Sequence, residues 1–365
     1  MRLVSLIAIL VLVDACSERR QPEAARNAAP ATSAPVSHAP SAREGTSASG
    51  GAATSGAAAA SGAAAASGAA GASGAAALSG VAAPSHGSPD RLSDRLREIE
   101  AESGGRLGVA LYDGDGHQVG GYRADERFAM CSTFKYALAA TILADSAAHV
   151  LSLDEPLTFR RAELVNHSPV VEKHLRGERG SIPIAIAARA AVVQSDNAAA
   201  NLLLARVGGP QELTARLRRW GDSVTRLDRI EPGLNENVRG DERDTTTPSA
   251  MAATLWRLTF GTLLPDRERE QLRSWGRETE TGRARIRKGL PSSWLAGDKT
   301  GSCGNAYNDI AWFVTPDARR YTLTVYLDRP TVSPADANAT IASVASVASA
   351  ASAANAAART LAPPP

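Results

Sequence analysis

Residues 131–135 read Cys-Ser-Thr-Phe-Lys, and together with three later segments they decide the fold class. The spacing predicts a helix that begins at Ser132 and carries Lys135 one turn further on, on the same face. A serine hydroxyl is a weak nucleophile until a neighbouring group takes its proton, and a desolvated lysine amine of lowered pKa can take it. Taken alone, the same pattern more often means a helix N-cap followed by a solvated lysine.

Three further segments follow in order, and the set is more specific than any one member. They are Ser195-Asp196-Asn197, Glu231-Pro232-Gly233-Leu234-Asn235 and Lys299-Thr300-Gly301. They add a second hydroxyl, a second amine and a carboxylate that could activate water. Glu-Pro-Gly is also ordinary turn chemistry, so Glu231 is expected to lie on a turn in either case.

The patterns around these segments predict a helix and hairpin, a helical middle, three late strands and a closing helix. The predicted elements are a helix over 91–102, strands over Leu107–Tyr112 and Val119–Tyr122, helices between Ser132 and Trp275, strands over Trp294–Thr300, Asp309–Val314 and Tyr321–Leu327, and a helix after Pro334. The early and late strands have to pair to form one sheet. The chain therefore combines a sheet region with a helical region, and any cleft is expected between them.

The four segments resemble the signature of the class A β-lactamases, in which S-x-x-K, S-D-N and K-T-G motifs occur together. The resemblance covers about residues 88–350. It implies an α+β fold of the β-lactamase/transpeptidase type, with a five-stranded antiparallel sheet flanked by helices beside an all-helical domain and the active site between them. The implied activity is antibiotic resistance by hydrolysis of the β-lactam amide bond of penicillins and cephalosporins.

The resemblance implies a nucleophile, two candidate bases and a proton donor. Ser132 forms the acyl-enzyme, and either Lys135 or Glu231 takes its proton. Ser195 passes a proton to the leaving nitrogen, with Lys299 tuning it electrostatically. The backbone N–H groups of Ser132 and Ser302 form the oxyanion hole.

Other residues are expected to bind the substrate or to support the site. Asn197 would hold the side-chain amide, Thr300 and Ser302 the carboxylate, and Arg285 the same carboxylate through a bidentate pair. His167 takes a position at the site entrance that is usually aromatic in the family. The remaining members are Gly301 as a substrate-binding residue, Asp196 as a polar group that fixes its loop, and Arg287 as a structural residue.

Glu231 and Asn235 distinguish a hydrolase from its relatives, because clearing the acyl-enzyme requires a positioned and activated water. In the family this pair lies on an Ω loop, with a cis peptide bond before the equivalent of Pro232. Arg229 and Asp244 match the ion pair that closes that loop. The alternatives are a penicillin-binding D,D-peptidase and a sensor domain that acylates and stays acylated.

Cys131 and Cys303 flank the two residues of the implied oxyanion hole. If those residues line one hole, the cysteines lie within disulfide reach, and export would allow oxidation. Two buried free thiols are the alternative. A disulfide here resembles that of the class A carbapenemases, and it predicts that carbapenems are substrates.

The N-terminus predicts export to the periplasm or the medium. Residues 1–16 have the layout of a signal peptide, and Cys16 is either a lipidation site that anchors the protein to a bacterial membrane or part of an ordinary cleavage region. Residues 17–88 are rich in Ala, Ser, Gly and Pro and predict a disordered linker. The catalytic domain is expected over 89–350, with a low-complexity tail over 351–365.

Composition excludes several classes of function. The chain has 40 basic and 38 acidic residues, and this balance argues against binding to nucleic acid or to a membrane surface through a basic patch. The histidines have no ligand-like spacing, so neither a metal nor another cofactor is expected. The partners are β-lactam antibiotics, and nothing in the sequence requires more than a monomer.

Overall fold

The computed structural model describes the backbone of residues 89–361 and the side chains of residues 91–353. The predicted signal peptide, Cys16 and the linker lie outside the described residues. The helices of the described part are α1 Pro89–Ser103, α2 Phe134–Ala147, α3 Ile184–Val193, α4 Asn197–Val207, α5 Pro210–Arg219, α6 Pro248–Thr259, α7 Asp266–Glu278, α8 Ile286–Gly289 and α9 Pro334–Leu361. Within it, none of these helices is both long and apolar enough to cross a bilayer.

A five-stranded antiparallel sheet joins the two ends of the folded region. Its strands are β1 Arg106–Tyr112, β2 Gln118–Tyr122, β8 Leu295–Cys303, β9 Ala306–Val314 and β10 Arg320–Asp328. Their order is β2-β1-β10-β9-β8. The first strand pairs with the last over the full length of β1, from Arg106 opposite Asp328 to Tyr112 opposite Thr322. The expected pairing of early and late strands is confirmed, and β8 lies at an edge of the sheet.

Each face of the sheet is covered by helices. On one face α1 and α9 pack through residues such as Leu96 and Ile341, both fully buried. The other face packs on α6 and on the helical region, where Trp312 of β9 donates a hydrogen bond from Nε1 to the Tyr136 hydroxyl of α2 at 3.0 Å. This contact lets two large, fully buried side chains satisfy their polar atoms while they fill the core.

The helical region is built around α2, which is buried on nearly all sides. Such a helix needs no amphipathic stripe, because its neighbours surround it. The sequence predicts that helices dominate between Ser132 and Trp275, as they do, but it does not predict the short strands of this part of the fold. The region also contains a three-stranded sheet of β4 Pro156–Arg160, β5 Leu175–Arg176 and β6 Arg179–Pro183, and a two-stranded pairing of β3 Phe128–Ala129 with β7 Thr245–Thr246.

The small sheet follows from a two-residue period that a helical interpretation overlooks. Along β4 the side chains of Leu157 and Phe159 are buried while their neighbours are exposed, which is the pattern of a strand with one buried face. At the other end of the chain, α9 continues to Leu361, past the predicted start of the tail at residue 351.

Candidate active site

The residue predicted as nucleophile, Ser132, lies in a tight turn next to the edge strand β8. Ser132 occupies the 3-10 turn Cys131–Thr133 that leads directly into α2, and its side chain is almost fully buried. The Asn308 side chain donates hydrogen bonds to the carbonyls of Ala129 at 2.8 Å and Met130 at 3.2 Å. Strand β9 therefore fixes the backbone that leads into the turn.

Lys135 is fully buried one turn after Ser132. Its Nζ lies 3.0 Å from Glu231 Oε1, donates to the Ser195 carbonyl at 2.9 Å and also donates to Asn197 Oδ1. Loss of solvation lowers the pKa of Lys135 from its usual value, although the charge of Glu231 opposes that shift. A buried amine with a lowered pKa can exchange a proton more readily than a solvated lysine.

Glu231 contacts both the serine and the lysine. Ser132 Oγ donates to Glu231 Oε1 at 3.5 Å, and Asn235 donates from its amide to the other carboxylate oxygen. The Glu231–Pro232 peptide bond is cis, as the resemblance implies. Asn201 of α4 completes the arrangement, since it accepts from the Glu231 N–H at 2.9 Å and donates to the Glu231 carbonyl at 2.8 Å.

An ion pair closes the base of the loop that carries Glu231. Arg229 Nε lies 2.6 Å from Asp244 Oδ2, and Asp244 Oδ1 accepts from the backbone N–H groups of Asp228 at 2.7 Å and Arg229 at 3.0 Å. Asp244 is almost completely buried. Its carboxylate, at the end of the loop, therefore satisfies the backbone N–H groups where the loop begins.

The segment Ser195-Asp196-Asn197 forms the opposite wall. Asp196 is the N-cap of α4, accepts from Ala199 N–H at 2.8 Å, and accepts with its other oxygen from the N–H groups of Val170 and Val171. These bonds hold Ser195 in a left-handed conformation with φ of 59°. Backbone strain at a non-glycine residue persists where the surroundings over-determine it, often at functional sites.

Lys299 of β8 faces Ser195 across the cleft. Its fully buried Nζ donates to Ser195 Oγ at 3.0 Å and to the Thr300 carbonyl at 2.7 Å. Burial, and then the nearby charge of Lys135, lowers the pKa of Lys299 to about 7. The Thr300 hydroxyl is hydrogen-bonded to that of Thr281 at 2.6 Å.

Arg285 lies behind β8 and reaches Ser302. It donates to Ser302 Oγ at 2.6 Å, to the carbonyls of Gly301 at 3.0 Å and Asn308 at 2.6 Å, and to Asn338 Oδ1 at 2.8 Å. Because four contacts fix a nearly buried guanidinium, its charge has a defined position next to the Ser302 hydroxyl.

The edge strand and the nucleophile turn are covalently joined. Cys131 and Cys303 form a disulfide with a Cα–Cα distance of 5.6 Å. A Cβ on Gly301 would lie 2.5 Å from the Met130 carbonyl, so only glycine permits this close approach. Cys303 pairs with Ala306 across a two-residue turn. Hydrogen-bonded and non-hydrogen-bonded pairs alternate along antiparallel strands, so the N–H of the preceding residue, Ser302, is directed away from β9 and towards the open edge of the sheet.

Two hydroxyls, two amines and a carboxylate thus converge in one buried cleft between the sheet and the helical region. A model of the "Beta-lactamase enzyme family" matches residues 91–351.

The chain belongs to this family. It is 44% identical over 250 residues to the β-lactamase CTX-M-8 of Citrobacter amalonaticus, a match that covers 68% of this chain and 84% of that protein. It is 46% identical over 238 residues to the β-lactamase L2 of Stenotrophomonas maltophilia, covering 64% and 77%. Among solved structures, the class A β-lactamase of the last common ancestor of Gram-negative bacteria is 48% identical, with a TM-score of 0.69 and coverage of 71% and 98%.

This class A serine β-lactamase holds two acidic groups, one on β8 and one on β9, that its sequence did not single out. Asp298 and Asp309 are both buried, and loss of solvation raises the pKa of each, that of Asp309 to about 6. Arg287 forms an ion pair with Asp298 and donates to the carbonyls of Arg277 and Thr279, contacts of the structural kind expected for it.

Other contacts of the β-lactamase also lie outside the motifs. Asn201 is four residues after Asn197 and therefore on the same face of α4, which is the one sequence signal that could have found it. Asn308 and Thr281 act across strands or loops and carry no local signal. His167 is exposed, and its Nε2 is 2.8 Å from the Gln194 carbonyl.

Proposed function

We propose that this β-lactamase acylates Ser132 and hydrolyses the resulting ester with water activated by Glu231. A single observation carries the proposal: the Glu231 carboxylate lies within reach of Ser132 Oγ, Lys135 Nζ and the Asn235 amide at once. A general base has to lie within hydrogen-bonding reach of the proton it removes.

In acylation, Ser132 Oγ forms a bond to the lactam carbonyl carbon and the C–N bond of the ring breaks. The serine proton leaves through Glu231 or Lys135, and the contacts at Glu231 Oε1 are compatible with both routes. The Ser195 hydroxyl, held by Lys299 at 3.0 Å, delivers its proton to the departing nitrogen and is reprotonated by the proton that left Ser132, so the serine proton ends on the lactam nitrogen. The N–H groups of Ser132 and Ser302 stabilise the oxyanion.

In deacylation, water adds to the ester carbon, and the bond to Ser132 breaks. Glu231 takes a proton from the water, and the Asn235 amide fixes the orientation of the carboxylate. The Ser132 oxygen recovers a proton, so the enzyme returns to its initial state. A peptidase or a sensor that remains acylated has no use for this pair.

The substrate carboxylate is assigned to Thr300, Ser302 and Arg285. Because the Ser302 hydroxyl accepts from Arg285, its own proton can be donated to the carboxylate. Arg285 already donates to four groups, so the bidentate pair predicted from the sequence would require one of these bonds to break. Asn197 is assigned to the side-chain amide, Gly301 to close approach along β8, and His167 to the entrance of the site.

Carbapenems are proposed as substrates besides penicillins and cephalosporins. The disulfide supports this, since it fixes Ser302 and Ser132 relative to each other and so holds the oxyanion site in place. Steady hydrolysis of imipenem by the oxidised enzyme is the expected result. A stable acyl-enzyme without turnover would refute it.

We also propose that the protein is exported and functions outside the cytoplasm, with lipid on Cys16 as the anchored form. Intact mass of membrane-extracted protein tests this, because lipidation adds acyl mass to a chain that begins at Cys16. A mature chain without added acyl mass would instead indicate that an ordinary signal peptide is cleaved and that Cys16 carries no lipid.

The decisive experiment is a time course of benzylpenicillin hydrolysis with intact mass recorded in parallel. Wild type is expected to turn over, Ser132→Ala to show neither turnover nor adduct, and Glu231→Ala to trap the acyl mass. A stoichiometric adduct on the wild type, without turnover, would instead favour a penicillin-binding or sensor protein.

A further inference from the structure

A hydrogen-bonded contact joins the outer limb of the Ω loop, residues 236–243, to the hairpin between β8 and β9. The Asn237 amide donates to Asp328 Oδ1 at 2.6 Å and to Asn305 Oδ1 at 3.2 Å. From the other side, the Arg329 guanidinium donates to the Asn237 carbonyl, and the Arg329 N–H donates to the Asn305 carbonyl at 2.8 Å. We name these four residues the loop clasp.

The clasp is built into the end of the sheet. Asp328 is 7% exposed and ends β10, where Arg329 Nη1 lies 3.1 Å and Arg106 Nη2 3.4 Å from its Oδ2. Asn237 is half-buried, whereas Val238 beside it is 58% exposed. A half-buried amide that donates to a paired, buried carboxylate forms a stronger contact than a bond between two neutral surface groups.

Apart from the clasp, the outer limb is supported mainly where it begins, by an ion pair between Arg229 and Glu236. A cavity of about 690 Å³ lies between the limb and the ends of β1 and β10, and its walls carry charged side chains such as Arg106, Arg127 and Asp241. The limb therefore does not rest on an apolar core there. Arg127 adds only a distant ion pair, 3.8 Å from Glu242, which is largely exposed.

We propose that the loop clasp is a positioning device for deacylation, which rests on the proposed role of Glu231. The base of the loop is fixed by Arg229 and Asp244, and Asn237 fixes the far side two residues after Asn235. Together these contacts hold Asn235 and Glu231 in place relative to the Ser302 strand. The clasp residues touch no reacting atom, so they act only through the position of the loop.

The geometry predicts a selective defect. Asn237→Ala removes both donated bonds, and misplacing the base by about 1 Å slows deacylation by roughly tenfold to a hundredfold. Lys135 is taken here as the acylation base. Since Lys135 and Ser132 lie on α2 and its preceding turn, acylation changes by less than about threefold. Benzylpenicillin acyl-enzyme is therefore expected to accumulate, as measured by rapid quench and intact mass, while Val238→Ala on the same limb behaves as wild type.

A double mutant separates positioning from general damage. In a Glu231→Ala background, Asn237→Ala is expected to slow the residual deacylation no further, because the base it positions is gone. Deacylation by Asn237→Ala at the Val238→Ala rate, an equal loss of acylation, or additive slowing in the double mutant would overturn the inference. If Glu231→Ala instead turned over benzylpenicillin at the wild-type rate, the proposed function would be overturned. If Asn237→Ala does not fold, Arg329→Gln removes the bond to the Asn237 carbonyl, and the same criteria apply.

Discussion

Asn201→Leu is expected to weaken both the stability of the enzyme and the placement of its base. Asn201 is half-buried and forms two hydrogen bonds to the backbone of Glu231, at 2.9 and 2.8 Å. Leucine has a similar size but can neither donate nor accept. The Glu231 N–H and C=O groups then lose their partners in a residue that is 1% exposed.

The magnitude follows from the two unsatisfied groups. Each buried polar group left without a partner costs about 1–3 kcal/mol, so the pair costs roughly 2–4 kcal/mol after partial relaxation. In a domain of this size about 2 °C of Tm is lost per kcal/mol, which predicts a fall of about 4–8 °C. Because the lost bonds fix Glu231 itself, deacylation should slow by about tenfold or more.

Thermal unfolding and single-turnover kinetics with benzylpenicillin test the two consequences together. Gln271→Leu, an amide-to-leucine change at an exposed position of α7, is the matched control and should leave both quantities unchanged. A Tm within about 1 °C of wild type would show that other groups or water satisfy the Glu231 backbone. A lower Tm with unchanged deacylation would refute only the positioning argument.

Four further outcomes are expected. Lys299 loses its charge as pH rises through its pKa of about 7, so kcat/KM should fall on that side and Lys299→Arg should abolish this limb; a limb that persists belongs to another group. Burial holds the pKa of Lys299 below its value in the unfolded chain, so protonation of Lys299 opposes folding. Through this group, the free energy of unfolding measured in urea should therefore rise from about pH 7 to 10. Cys303→Ser opens a crosslink between residues 172 apart, which by loop entropy should lower the unfolding free energy by up to about 5 kcal/mol; unchanged urea unfolding would contradict this. Arg285→Ala removes the bond to Ser302 and the charge behind it, so KM for benzylpenicillin should rise by about tenfold or more, whereas an unchanged KM would exclude a role in carboxylate binding.

The motif residues could be expected to lie together because each motif carries its groups in a short local segment. Ser132 and Lys135 are one helical turn apart, and Glu231 and Asn235 are on one loop, so spacing along the chain already implies proximity. The disulfide was predictable for a related reason, as its cysteines flank residues of one implied oxyanion site. The three-stranded sheet was missed because its strands are short and only β4 shows a clear alternation.

The supporting contacts could not be derived in this way, because their partners are brought together only by the completed fold. Asn308 is far along the chain from the turn it fixes, and Asn237 meets Asp328 only where the Ω loop lies against the end of β10. A side-chain amide or a carboxylate at such a position looks like any other polar surface residue in the sequence. The active site therefore has two levels of specification: local motifs determine which groups react, and long-range polar contacts determine how precisely they are held. Mutations at the second level should leave the chemistry intact and change the balance between acylation and deacylation, which is why the kinetics of the clasp variants are more informative than their overall activity.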